Sequence, residues 1–345
     1  MEWLPQSICA AGALLSRVLY RTFPPPSLIA RVNVELLGLL SELILLPWSF
    51  LSLRRRSARP PQGSGTWIEY TRAPVHSDAV IVWLPGGGFI YHDHWHIAVA
   101  QALLPQIARE TGSAPSMLIY NYPLPAKLDR TPQEIARVIT WLRNECGFRR
   151  VVLAGDSAGG FLVMQHALSE RLAHDPALQI DAAISMYPVL DLTLSGASYA
   201  ENEYRDGLHV TLAITGVASF AGASTSIAEL RAASPAFAPR TVLQRLAPPA
   251  GGPRIVVVSG ERDLLRSDVE SFLAALDAAV PATAANEVDA PPGPVCHVRV
   301  DDGAFGVHCG ALLPGPLVGR APSVRRALDA VCAACVDVVL KTAPG

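Results

Sequence analysis

The sequence predicts an α/β fold, a mostly parallel sheet with helices on both faces and an insertion above it. Two observations carry this. Short apolar runs recur between segments of helical spacing: AVIVWL (79–84), MLIY (117–120), VVLAG (151–155), AAISMY (182–187), RIVVVSG (254–260) and CHVRV (296–300). Runs that are apolar at nearly every position suit strands buried on both faces, as parallel strands are when helices cross between them. The second observation is length, since 345 residues suffice for one large α/β domain with insertions.

Along the chain, residues 1–53 form a strongly apolar segment, and Val34 to Leu53 ends at Arg54-Arg55-Arg56. That stretch is close to the ~20 residues needed to cross a bilayer, but Glu35, Glu42 and Pro47 interrupt it. No short basic region followed by an A-x-A site marks a removable signal peptide. A monotopic membrane anchor, a single span, and a helix packed on the protein's own surface all stay open. Residues 54–65 (RRRSARPPQGSG) are basic and then Pro/Gly/Ser-rich, which reads as a linker, so the main domain is expected at 66–345.

Within that domain, Thr131-Pro132-Gln133-Glu134 reads as a capping box with proline at the first helical position. Ile135, Val138, Ile139 and Leu142 follow at helical spacing, and Gly147 stops the run. Residues 191–250 lack a strand pattern and are rich in Ala, Ser, Gly and Pro, as expected of a cap over the sheet. The C-terminal run ALDAVCAACVDVVL reads as an amphipathic helix.

Composition excludes some functions. Hydrophobic residues make up 50% of the chain and charged residues 17%, and mean hydropathy is +0.29. Twenty-eight basic against 30 acidic residues give a net charge of −2 without a long basic block, so a nucleic-acid partner is not indicated. The six cysteines are scattered and read as mostly reduced and buried. Cys332 and Cys335 form a C-x-x-C with no second ligand pair, which favours packing over zinc.

The strongest chemical signal is Gly155-Asp156-Ser157-Ala158-Gly159-Gly160, which follows the apolar run VVLAG and precedes the helical pattern FLVMQHALSERLA. In a tight strand-to-helix turn the Ser157 hydroxyl stands exposed above the sheet, and the helix N-terminus favours developing negative charge. Leu84-Pro85-Gly86-Gly87-Gly88-Phe89 directly follows AVIVW. The amides of Gly87 and Gly88, with that of Ala158, are candidates for an oxyanion hole. Neither phosphate-loop pattern, G-x-x-x-x-G-K-[ST] or G-x-G-x-x-G, is present there.

Through PGGGF, YNYPL, GDSAGG, the YPVLDL run, ASPAFAP, SGERDLLRSD and FGVHCG, the chain resembles the hormone-sensitive-lipase branch of α/β hydrolases from about Val80 to about Leu313. Within that branch it is most similar to fungal steryl acetyl hydrolases. The resemblance implies an α/β-hydrolase fold with a cap. It also implies hydrolysis of a short acyl ester of a bulky apolar alcohol, often by an endoplasmic-reticulum enzyme with an N-terminal membrane anchor; a cytoplasmic location is the alternative. The branch usually carries His-Gly-Gly-Gly, and Pro85 stands here in place of the histidine, which removes that residue's bracing of the loop.

A serine nucleophile needs a histidine to take its proton and a carboxylate to orient that histidine, in the chain order Ser, acid, His for this fold. Asp263 sits just after RIVVVSG at the branch's acid position; Glu261 lies too near the strand end and Asp268 falls in the next helix. Downstream histidines are His297 and His308. His297 lies inside a strand pattern, whereas His308 lies in the loop FGVHCG, where the base must stand. His92, His94 and His96 have a metal-like look, but no carboxylate-rich or cysteine partner set accompanies them. The expected set is therefore Ser157, Asp263 and His308 with Gly87, Gly88 and Ala158, no cofactor or metal, and a small hydrophobic ester as partner. An amidase or arylformamidase with the same triad, and a non-catalytic ligand-binding member of the fold, are the rival readings.

Overall fold

The computed structural model describes residues 53–340 other than 74, 94–95, 170–174, 223, 247–252, 280–294, 302–305 and 313–320. Strands β1 (Leu53–Ala58), β2 (Ser64–Tyr70) and β3 (His76–Leu84) come first, then α1 (His96–Thr111), β4 (Ala114–Asn121), α2 (Thr131–Asn144), β5 (Arg150–Asp156) and α3 (Ser157–Ala167). After β6 (Ala182–Met186) come four helices, α4 (Ser198–Glu201), α5 (Val210–Ala221), α6 (Ile227–Ala233) and α7 (Arg240–Leu243). The chain closes with β7 (Arg254–Gly260), α8 (Arg266–Ala279), β8 (Val295–Val300) and α9 (Pro322–Leu340).

The strands form one sheet in the order β1-β2-β4-β3-β5-β6-β7-β8. β1, β2 and β4 pair antiparallel, and every pairing from β4 to β8 is parallel. Side chains alternate across a strand, so each apolar run feeds two cores. Val80, Val82 and Leu84 of β3 join the core beneath α2, α3 and α8, while Ala79, Ile81 and Trp83 join the core beneath α1 and α9. Burial on both faces explains why these strands show no polar alternation.

The 54–65 stretch is not a linker: it forms most of the edge strand β1 and the turn into β2, so among the described residues the sheet already includes Leu53 rather than starting near Thr66. Arginine at three successive positions hides any alternation. On an edge strand, however, exposed charge is favourable because it discourages pairing with another chain. Leu53 and Ala58 are buried, Arg54 to Arg56 are exposed, and Arg56 pairs diagonally with Glu69 at 2.7 Å. The apolar segment 1–52 lies outside the described residues, among which no helix is long and apolar enough to cross a membrane.

The expected capping box at α2 is also replaced. Thr131 is the first helical residue and its Oγ1 accepts the Lys127 amide at 2.8 Å, while Glu134 pairs with the Arg130 guanidinium. A preceding turn, with the Thr131 amide on the Lys127 carbonyl at 2.8 Å, carries the helix start one residue back and turns the hydroxyl away from the N3 amide. Cys332 and Cys335 are buried free thiols on α9, as expected of packing residues, but Cys146 is exposed. The cap comprises α4 to α7. Helix α5 is fixed over the loop after β4 by bonds from Lys127 Nζ to the Ser219 carbonyl and from the Leu128 amide to the Phe220 carbonyl.

Candidate active site

Strand β5 passes directly into α3, with Asp156 ending the strand and Ser157 opening the helix. Ser157 has φ +52, a left-handed conformation that costs on the order of 1–3 kcal/mol for a residue with a Cβ. Close packing of β3 against the turn maintains it. A Cβ on Gly159 would stand 1.9 Å from the Leu84 carbonyl oxygen, so only glycine lets the two backbones meet. The amides of the first turn of a helix lack intrahelical partners, and that of Ala158 is among them. The turn thus presents a hydroxyl beside unsatisfied N–H groups.

The loop after β3 is held without a histidine. Tyr122 donates its hydroxyl to the Pro85 carbonyl at 2.8 Å, and the Gly86 amide donates to Asp156 Oδ1 at 3.2 Å, which also accepts Trp83 Nε1 at 3.1 Å. Burial keeps the Tyr122 phenol protonated, with its pKa far above the ordinary value. Burial also raises the Asp156 pKa, against the opposing effect of a side-chain hydrogen bond with Asp93. Asp156 thus holds the loop from below through the Gly86 amide and the Trp83 indole. Gly87 has φ +109, and a Cβ there would stand 2.3 Å from the Tyr91 carbonyl oxygen. From above, α5 presses on the loop: a Cβ on Gly216 would lie 2.3 Å from the Gly88 oxygen, and Phe220 stacks on Phe89 at 4.1 Å.

Asp263 follows β7 and His308 lies in the loop after β8. The His308 Nδ1 is 3.1 Å from Asp263 Oδ1, which also accepts the Leu265 amide at 2.9 Å. Burial lowers the His308 pKa, but the charge and hydrogen bond of Asp263, with the charges of Asp206 and Asp156, outweigh it and raise the pKa above the ordinary histidine value. Cys309 Sγ lies 3.8 Å from Asp156 Oδ2, so the chain neighbours of His308 and Ser157 touch. Among the described residues Ser157 has no hydrogen bond to His308, a contact that often closes only when substrate is bound.

The competing residues are engaged elsewhere. Asp268 accepts the Leu190 and Asp191 amides and the Tyr199 hydroxyl, and Glu261 pairs with Arg266 and Arg299. His297 is half-buried in β8 and 2.9 Å from Ser259 Oγ. His92 packs edge-on against Tyr122, His96 is buried at the start of α1, and His94 lies outside the described residues. One site residue escaped the sequence reading. Asp206, in the cap, accepts the His308 amide at 2.8 Å, and its surroundings ENEYRDG offer no recognisable motif.

A strained serine beside free helix amides, with a histidine oriented by a buried carboxylate, has the components of nucleophilic acyl transfer. A family model for the alpha/beta hydrolase fold matches residues 81–291. A probable carboxylesterase of Arabidopsis thaliana is 31% identical over 157 residues, 42% of this chain and 44% of that protein, so the chain spans less than half the length of this relative. Among solved structures, a fungal esterase from Rhizomucor miehei superposes with a TM-score of 0.68 at 20% identity, covering 96% of this chain and 97% of that one. A bacterial esterase of the hormone-sensitive lipase family gives 0.66 at 19% identity over 97% of both chains. The chain therefore belongs to the α/β-hydrolase-fold family.

Proposed function

We propose that the protein is a serine carboxylesterase. The observation that carries this is the elbow conformation of Ser157 together with the hydrogen-bonded Asp263–His308 pair. In this reading the Ser157 oxygen attacks the ester carbonyl as His308 Nε2 takes its proton. The Gly87, Gly88 and Ala158 amides stabilise the oxyanion, and Asp263 holds the imidazole and stabilises its charged form. His308 then protonates the leaving alcohol and activates water for deacylation. Ester and amide substrates of one acyl group test the reaction class: faster ester turnover is expected, and a preference for the amide would reassign the protein to amidases.

One wall of the site supports a reading of the substrate class. Leu212 on α5 stands 3.6 Å from where a side chain on Gly88 would begin, so the space beside the oxyanion loop is bounded by an apolar side chain. We infer a preference for acetyl or other short acyl groups on hydrophobic alcohols, with steryl acetates among the candidates. On one chromogenic alcohol, kcat/KM should be highest for acetyl and other short acyl chains and should change by about 10-fold or more for each methylene that no longer fits. A maximum at long chains would refute this.

The apolar segment 1–52 and the arginine-rich strand that follows it support membrane association, with the basic end on the cytosolic side. Because β1 belongs to the sheet, the deletion that tests this must spare it. Removal of residues 1–52 is expected to release active protein from membranes. Recovery of the full-length chain in the low-salt cytosolic fraction would refute the anchor.

A further inference from the structure

The cap segment from Ser198 to Asp206 is bound to the loop that carries Asp263. Ser198 donates its hydroxyl to the Leu264 carbonyl at 2.7 Å, and Asn202 donates Nδ2 to the Asp263 carbonyl at 2.9 Å. Asp206, 1% exposed, completes the set. Its Oδ2 accepts the Leu264 amide at 2.6 Å, while Oδ1 accepts the His308 amide at 2.8 Å and that of Gly207 at 2.6 Å. One carboxylate therefore spans two loops that meet nowhere near it in sequence.

We propose that Asp206 is a positioning residue, a cap-borne carboxylate that fixes the acid loop against the base loop so that Asp263 and His308 meet in register. The proposal rests on the esterase reading of Ser157. Asp263 needs such help, because it holds the imidazole through Oδ1, shared with the Leu265 amide, while its Oδ2 is buried without a partner. A single hydrogen bond sets the imidazole only if the two backbones that carry its partners are held in place, and Asp206 binds both through the Leu264 and His308 amides. The ligand atoms of Asp206, Asp263 and His308 lie within 4.8 Å of one another. A cation is nevertheless poorly suited to this cluster, because the Asp206 oxygens already face three N–H groups.

The clamp also has an electrostatic consequence. His308 faces the carboxyl groups of Asp263, Asp206 and Asp156, along with the buried Tyr187 phenol and Cys309 thiol. Asp206 itself faces Asp263 and His308, and its pKa is pushed up to about 7 by burial and by the Asp263 charge. Removing the Asp206 charge lowers the proton affinity of His308, so the acid limb of the pH–rate profile must move to lower pH.

The test compares Asp206→Asn and Asp206→Ser with wild type, using kcat, KM, melting temperature and the pH profile of kcat/KM on one short-chain ester. Misplacement on the ångström scale should lower kcat on the order of 10- to 100-fold, with KM within about 2-fold, and the acid limb should shift downward. Asn202→Ala is the control. It loosens the same segment without changing charge, and should lower the melting temperature while leaving the acid limb in place. An Asp206 variant that folds with kcat within about 2-fold of wild type and an unmoved limb overturns the proposal. Failure of both variants to fold overturns it as well, since the residue would then be needed by the fold rather than by the triad. Undiminished turnover in Ser157→Ala would instead move the nucleophile away from Ser157 and remove the reading on which the proposal rests, an outcome separate from either.

Discussion

Ser157→Ala is expected to lower ester turnover by on the order of 10^4-fold or more and to abolish labelling by a fluorophosphonate probe, with the fold intact. The oxygen that would form the acyl bond is gone, and no neighbouring hydroxyl occupies an elbow. Stability should change by less than about 1 kcal/mol. Alanine keeps the Cβ, so the strain at φ +52 is the same in both proteins, and no hydrogen bond from the hydroxyl to His308 is lost. The variant therefore separates chemistry from folding. Undiminished labelling in a folded Ser157→Ala protein would place the nucleophile at another residue.

The parallel part of the sheet was legible because both of its faces are buried. β3, β5, β6 and β7 show as apolar runs, and RIVVVSG coincides with β7 from Arg254 to Gly260. The antiparallel edge was not legible. In β1 the exposed arginines carry the strand, and their spacing does not distinguish an edge strand from a basic linker. In β2 the buried Trp67 and Ile68 are adjacent, so neither alternation nor a long apolar run announces it. β2 is specified by a pairing partner far along the chain, Met117 to Asn121 of β4, and local patterns do not contain that information.

The site divides in the same way. Ser157, Gly87, Gly88 and Ala158 belong to turns whose tight geometry demands small residues in sequence order, and Asp263 stands where a strand ends. These positions are encoded locally. The groups that hold them are not. The histidine expected ahead of the glycines is replaced by Asp156, Tyr122 and Trp83, drawn from three strands or strand ends, and Asp206 comes from the cap. Each acts by accepting or donating to a backbone group 37 or more positions away, apart from Trp83, whose indole meets the Asp156 side chain. Hydrogen bonds of that range leave no spacing to detect.

His308→Ala is expected to be folded and nearly inactive, with kcat lowered by on the order of 10^4-fold, whereas His297→Ala should retain its turnover per folded molecule and lose stability. The two histidines differ in what they touch. His308 Nδ1 meets Asp263, which leaves Nε2 for the nucleophile, while His297 Nε2 is already engaged with Ser259 across β7 and β8. Loss of that half-buried interaction should cost ~1–3 kcal/mol. The pH profile supplies a second, independent reading. The base must be neutral, and the surrounding carboxylates raise the His308 pKa, so wild-type kcat/KM should be low in acid and rise through a midpoint above 6.5. His297 has the opposite shift, because burial and then the Arg299 charge lower its pKa, so a profile governed by it would rise below 6.5. Measuring kcat, melting temperature and the acid midpoint for both variants decides the matter. An inactive His297→Ala beside an active His308→Ala, or a wild-type midpoint well below 6.5, would move the proton shuttle to the strand histidine.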